Sequence, residues 1–187
     1  MPLSLVEITP ARTEREAVDD LVDAVATAVA AADAELVESQ VTAGFGTVFV
    51  ILETASDAAE DAVRPALAGV DGVAALSGPE PVRLVGADLE AVKAARPAAG
   101  YLVEWDLPDE LDMETYLARK KAKAPLYQNV PETSFLRTYV REDMDKCLCF
   151  YDAPDEAAVR RAREAVSTPV DRLHELAPQG SRPGSTQ

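Results

Sequence analysis

The apolar positions of residues 1–90 switch between a period of two and a period near 3.6, and the switches mark six elements. Residues 3–8 read as a short apolar strand. Thr13-Glu14-Arg15-Glu16 has the form of a capping box, after which Val18, Leu21, Val22, Val25 and Val29 recur as one helical stripe. Residues 35–41 and 47–52 read as a hairpin around Ala43-Gly44-Phe45-Gly46, where glycine accepts the positive φ that a tight turn requires. A second helix is expected from about Asp57 to Leu67, and Pro81-Val82-Arg83-Leu84-Val85 closes the unit as a strand.

The same order returns after Ala94-Ala95-Arg96-Pro97-Ala98-Ala99-Gly100. Residues 101–107 form a strand. A helix follows from about Asp112, with Met113, Tyr116 and Leu117 inward, and Pro125 stops it. Residues 135–141 and 146–151 form a hairpin, 155–166 a helix and 170–176 the last strand, before a loose tail at Gly180-Ser181-Arg182-Pro183-Gly184-Ser185-Thr186-Gln187. The halves also overlap in letters. Leu5-Val6-Glu7 lies over Leu102-Val103-Glu104, and residues 47–54 (TVFVILET) lie over 146–153 (KCLCFYDA) without a gap. The pattern predicts an α+β protein of two tandem ferredoxin-like β-α-β-β-α-β repeats: residues 1–90, a linker at 91–99, residues 100–178, and a flexible tail at 179–187.

A four-stranded sheet with helices on one face needs a cover on the other. Val48, Val50 and Leu52 on one side and Phe49 and Ile51 on the other make the third strand apolar on both, as in a strand buried twice. The two antiparallel sheets are therefore expected to pack face to face as an intrachain dimeric α/β barrel, with any ligand pocket between them. Whether two such chains pair as a homodimer is left open.

Charge narrows the function classes. With 33 acidic against 18 basic residues the formal charge is −15, which repels phosphate backbones and speaks against nucleic acid as a partner. No apolar run approaches the length of a membrane span, and the N-terminal residues lack the form of a signal peptide. Two cysteines one residue apart on a strand make a poor structural disulfide, so a reducing, cytoplasmic setting is expected.

The overlap of the halves isolates candidate chemistry. Cys147 lies over Val48, Cys149 over Val50 and Tyr151 over Leu52, converting one face from hydrocarbon to thiol, thiol and phenol. Two readings stand: cysteines packed like valines, or a pocket wall able to donate, accept or attack. With two cysteines and one histidine in the chain, Cys₄ and Cys₂His₂ zinc sites are excluded, while Cys147 and Cys149 with His174 and a carboxylate remain a formal metal set. Glu104, amid apolar strand residues, reads either as a carboxylate whose burial raises its pKa toward general-base range or as a salt-bridge residue shared with Glu7. Arg137, Tyr139 and Arg141 share one face of their strand, solvated or forming an anion-receiving wall. The basic run Arg119-Lys120-Lys121-Ala122-Lys123 suits the C-terminal end of its helix. Phosphate-loop, nucleophile-elbow and zinc-protease motifs are absent, and neither a nucleotide nor haem is expected.

Tyr139-Val140, Asp143, Lys146, Cys149 and Tyr151, then Ala153-Pro154-Asp155-Glu156 with Val159, then Pro169-Val170-Asp171-Arg172-Leu173 form an ordered pattern. With the opening Tyr101-Leu102-Val103-Glu104, it resembles a bacterial ferredoxin-like family of unknown function typified by an actinobacterial nickel-binding protein. The resemblance covers the second repeat. It implies the ferredoxin-like fold, nickel or another divalent metal as a cofactor, and Cys149 and Tyr151 as positions of interest. Family members carry Arg-Glu-His-Ala where this chain has Arg160-Arg161-Ala162-Arg163, so the expected histidine falls on Ala162.

Three functions follow as expectations. The first is a binding protein for a small molecule or metal ion held between the sheets, lined by Cys149, Tyr151, Glu104, Tyr139 and Arg137, with Cys149 and His174 as the metal-ligating candidates. The second is a cofactor-free isomerase, cyclase or monooxygenase, with Glu104 as proton acceptor and Tyr151 as acid. The third is a structural protein with no ligand.

Overall fold

A computed structural model describes residues 2–95 and 98–178. The first six elements are β1 (Leu3–Pro10), α1 (Arg15–Ala31), β2 (Ala34–Val41), β3 (Val48–Thr54), α2 (Asp57–Ala68) and β4 (Val73–Val85). After α3 (Leu89–Ala95), the order repeats with β5 (Tyr101–Asp106), α4 (Met113–Lys123), a 3-10 helix (Ala124–Asn129), β6 (Ser134–Arg141), β7 (Lys146–Asp152), α5 (Glu156–Ala165) and β8 (Arg172–Glu175).

The strands hydrogen-bond antiparallel in the order β2-β3-β1-β4-β6-β7-β5-β8. β4 and β6 join the two units from Val82–Arg141 to Val85–Thr138. The outer edges also meet: Thr42 bridges Leu176, the Ala43 amide donates to the Glu175 carbonyl at 2.8 Å, and the Ala177 amide donates to the Val41 carbonyl at 2.8 Å. The sheet thereby closes into the intrachain α/β barrel, its two end strands touching at this bridge. Among the described residues no helix is long and apolar enough to cross a membrane.

Three apolar layers follow from the alternation of side chains. Phe49, Ile51, Leu3 and Leu5 meet Leu102, Tyr139, Leu148 and Phe150 inside the barrel, where all seven β3 residues are buried as a doubly apolar strand requires. Val48, Val50 and Leu52 face the α1 stripe of Val18, Leu21, Val25 and Val29, together with Val63 and Leu67 of α2. Cys147, Cys149 and Tyr151 face the helices of the second unit. Each such buried aliphatic side chain contributes on the order of 1.5–3 kcal/mol.

Four details depart from the sequence pattern. The expected capping box does not form: α1 is capped by Glu14 with no side-chain hydrogen bond. β4 begins at Val73, eight residues before its apolar segment, because pairing with β1 rather than burial sustains its first half. The segment read as a linker holds the end of α3, whose Val92 joins the barrel core and whose Lys93 binds Glu53 and Glu35. The last strand is shorter than expected, covering Arg172–Glu175. The tail expected over 179–187 lies outside the described residues.

Candidate functional site

Bulges in two strands decide which candidates meet. β2 shifts register between Leu36 and Glu38, and β6 shifts between Phe135 and Arg137. The extra residue reverses the facing of everything after it. Glu38, Gln40, Arg137 and Tyr139 therefore stand opposite Ile51, Phe49, Phe150 and Leu148, on the barrel-interior face. There the Arg137 Nε and Nη2 groups donate to the Glu38 carboxylate at 2.8 and 2.5 Å, and the Tyr139 hydroxyl donates to it at 2.5 Å. Arg137 also lies over the Phe150 ring, 4.8 Å from its centroid. Burial, with Glu38 alongside, raises the Tyr139 pKa.

Glu104 stands on the same interior face, one residue from Val103 on the helix-facing side. Its carboxylate accepts from Lys146 at 2.9 Å, Arg172 at 3.1 Å and His174 at 2.7 Å, and Lys146 also binds Glu7. Burial pushes its pKa up, but hydrogen bonds from His174, Arg172 and Lys146 outweigh that and hold it at about 2. The carboxylate is a charged anchor, the opposite of a general base poised near neutrality.

The space expected to hold a ligand is occupied by apolar side chains and by the Glu38–Arg137–Tyr139 cluster. Arg137, Tyr139, Glu104 and His174 face that interior, whereas Cys149 and Tyr151 lie on the other face of the sheet. Glu104 and Tyr151 thus cannot act on one substrate as an acid–base pair.

The open space lies outside the barrel, under α4, the 3-10 helix and α5. Asp112 accepts from the Thr115 amide at 2.7 Å and Asp155 from the Ala158 amide at 2.8 Å, fixing the starts of α4 and α5 over the sheet. Between them a cavity of about 120 Å³ is lined by Trp105, Leu111, Tyr116 and Tyr127 and by the basic residues Arg119, Lys120, Lys123 and Arg163. Of the lining residues, Arg119, Ala124 and Ser167 are exposed.

Cys149 lies behind this wall. Its Sγ accepts from the Thr138 hydroxyl at 3.2 Å and from Arg163 Nη1 at 3.4 Å, and sits 3.8 Å from Cys147 Sγ. Lys120 Nζ in turn donates to Thr138 at 2.9 Å. A hydrogen bond with Cys147 and the charges of Lys120 and Arg163 hold the Cys149 thiol well below the ordinary range, while Cys147 is pushed up. Arg163 also reaches the Tyr151 hydroxyl at 3.3 Å and the Pro169 carbonyl at 2.5 Å, with the Trp105 ring 5.7 Å away. The Tyr127 and Tyr151 hydroxyls meet at 3.0 Å, and burial pushes the Tyr127 pKa up to about 12.

These donors do not fit a divalent metal. Among the described residues no group of three or more His, Cys, Asp or Glu is arranged to hold one. The two sulfurs face Arg163 and Lys120, which repel a dication, and His174 is bound to Glu104 on the other face. Ala162, at the position of the family's histidine, is fully buried beside Arg163.

Of the cavity residues, the sequence pattern named Tyr116 as an inward helix position and Arg119, Lys120 and Lys123 as a basic run, but made none of them a ligand contact; its site candidates on this side were Cys149 and Tyr151, behind the wall. The available signal was in α5, where Arg163 sits on the inward stripe with Ala158, Val159, Ala162 and Val166. A guanidinium on an apolar stripe needs a buried purpose. Tyr116, Lys120 and Lys123 share one face of α4 at helical spacing, which the helix-dipole explanation of the basic run passed over.

Several solved structures share the fold, among them two at TM-score 0.53. A candidate monooxygenase from Lactobacillus acidophilus NCFM matches at TM-score 0.53 and 11% identity, covering 94% of this chain and 92% of that one. A candidate chlorite dismutase, TA0507, matches at TM-score 0.53 and 12% identity, covering 96% and 97%. No curated protein matches the sequence. Residues 101–176, from the start of β5 to the barrel-closing Leu176, match the family model of the nickel responsive protein SCO4226-like.

Proposed function

We propose that the protein is a small-molecule binding protein whose ligand occupies the cavity under α4 and α5 of the second unit, rather than the space between the sheets. The observation that carries this reading is the lining: a space of about 120 Å³ walled by Trp105, Tyr116, Tyr127 and Leu111, with Arg119, Lys120, Lys123 and Arg163 among them. Apolar walls with a few convergent polar groups are the usual form of a small-ligand site. The cavity lies within the stretch that matches the nickel responsive family, and because the donors gathered there do not fit a divalent metal, the ligand is read as organic.

Trp105 is the chain's single tryptophan, so its emission reports occupancy. Single-ring compounds are expected to change that emission saturably and raise the unfolding midpoint. Ala124→Phe, which adds a ring at an exposed position of the lining, should abolish both effects while leaving the circular dichroism spectrum unchanged. Undiminished saturation in the Ala124→Phe protein, or no saturation by any compound, would remove the cavity from consideration.

A further inference from the structure

The basic residues around the cavity differ from most others in the chain. With 33 acidic residues present, Arg83, Lys93, Arg137, Arg141, Lys146, Arg160, Arg161 and Arg172 each hold a carboxylate within 4.0 Å. Arg119, Lys120, Lys123 and Arg163 all line the cavity, and among the described residues none forms an ion pair with Asp or Glu. Arg163 is only 3% exposed. A buried guanidinium without a carboxylate is costly, and the partners it has are the Pro169 carbonyl, the Tyr151 hydroxyl and Cys149. One sulfur behind the wall does not balance four cations on it.

Lys120 shows the arrangement most clearly. It gives one N–H to Thr138, lies 4.2 Å from the Phe135 centroid and 5.9 Å from that of Tyr116, and keeps two further N–H groups. Arg119 and Lys123 stand at the same cavity and draw an anion toward it in an otherwise acidic surface.

We propose that the ligand is a small organic carboxylate, its anionic group received by Lys120 and Arg163 and its flat apolar body held among Trp105, Tyr116 and Tyr127. This rests on the cavity being the ligand site and adds the chemical class. A cationic ligand would be repelled by four like charges, and a neutral one would leave them unneutralised in the bound state.

The test is a Trp105 fluorescence titration at low ionic strength with benzoate, its neutral isostere benzamide, and benzylamine. Benzoate should bind at least about 10-fold more tightly than benzamide, since its hydrogen bonds from Lys120 and Arg163 are charge-assisted on both sides. Benzylamine should not bind, and added salt should weaken benzoate alone. Lys120→Met keeps the apolar stem and removes the charge; it should weaken benzoate about 10-fold and benzamide, which loses only an uncharged acceptor's bond, far less. Equal binding of benzoate and benzamide, or benzoate binding indifferent to Lys120→Met, would overturn the carboxylate class while the cavity reading stood. No saturable change with any of the three probes would overturn both.

Discussion

Burial alone would raise the Glu104 carboxyl, and the sequence offers that outcome as readily as a salt bridge. The difference is made by residues distant in the chain: Lys146 from β7 and Arg172 and His174 from β8 converge on one carboxylate. Its folded pKa of about 2 lies below the ordinary 4.5, so its contribution is fully present above pH 4.5 and is lost as the pH falls toward 2. Glu104→Gln imitates the protonated state. Discounted for the water that reaches Lys146, Arg172 and His174, it should cost about 2 kcal/mol at pH 7. Urea unfolding of the two proteins should show this gap closing between pH 4.5 and 2. A gap constant across that range would mean that packing, not charge, sets the role of Glu104. Cys149 follows the same logic, since its identity is plain in the sequence while its state depends on Arg163 and Thr138.

Elements were legible where one period ran unbroken. The α1 stripe, the doubly apolar β3 and the β6–β7 hairpin all lie where the alternation of apolar residues puts them. The bulges were not legible, because Val37 and Leu136 are ordinary apolar residues within apolar runs, and only pairing reveals that each is one residue too many. Those two residues nevertheless decide that Glu38, Arg137 and Tyr139 face inward, while Phe135 and Thr138 face the helices. Deleting Val37 should restore regular pairing with Glu38 still opposite Ile51 and still bound to Arg137, so the loss in denaturant unfolding should be that of one buried side chain, about 1.5–3 kcal/mol. A loss of about 3–5 kcal/mol, the cost of stranding Arg137, would show instead that the bulge itself is needed to aim Glu38. The helix-side cavity escaped the sequence for a related reason. Its walls come from α4, the 3-10 helix, α5 and β5, and no local spacing brings those four together.

For the whole molecule, the central contact is between positions 99 residues apart. Glu38 and Arg137 each follow the bulge of the second strand in their own unit, and they pair with one another across the barrel. In an association of two identical units such a contact would set like residue against like. Here the two positions carry opposite charges, with the Tyr139 hydroxyl as a further donor, so each half complements the other and not itself. The same arrangement fills the space between the sheets. A buried pair of this kind need not stabilise the fold relative to hydrocarbon, but removing one partner strands the other. Arg137→Met should therefore cost about 3–5 kcal/mol, and adding Glu38→Met to it should recover most of that loss. The cycle is read by urea unfolding of the wild type, both single variants and the double. Additive losses would show that the two side chains stabilise the barrel separately. Recovery in the double variant, together with self-association seen by sedimentation, would show that the pair chiefly directs which half meets which.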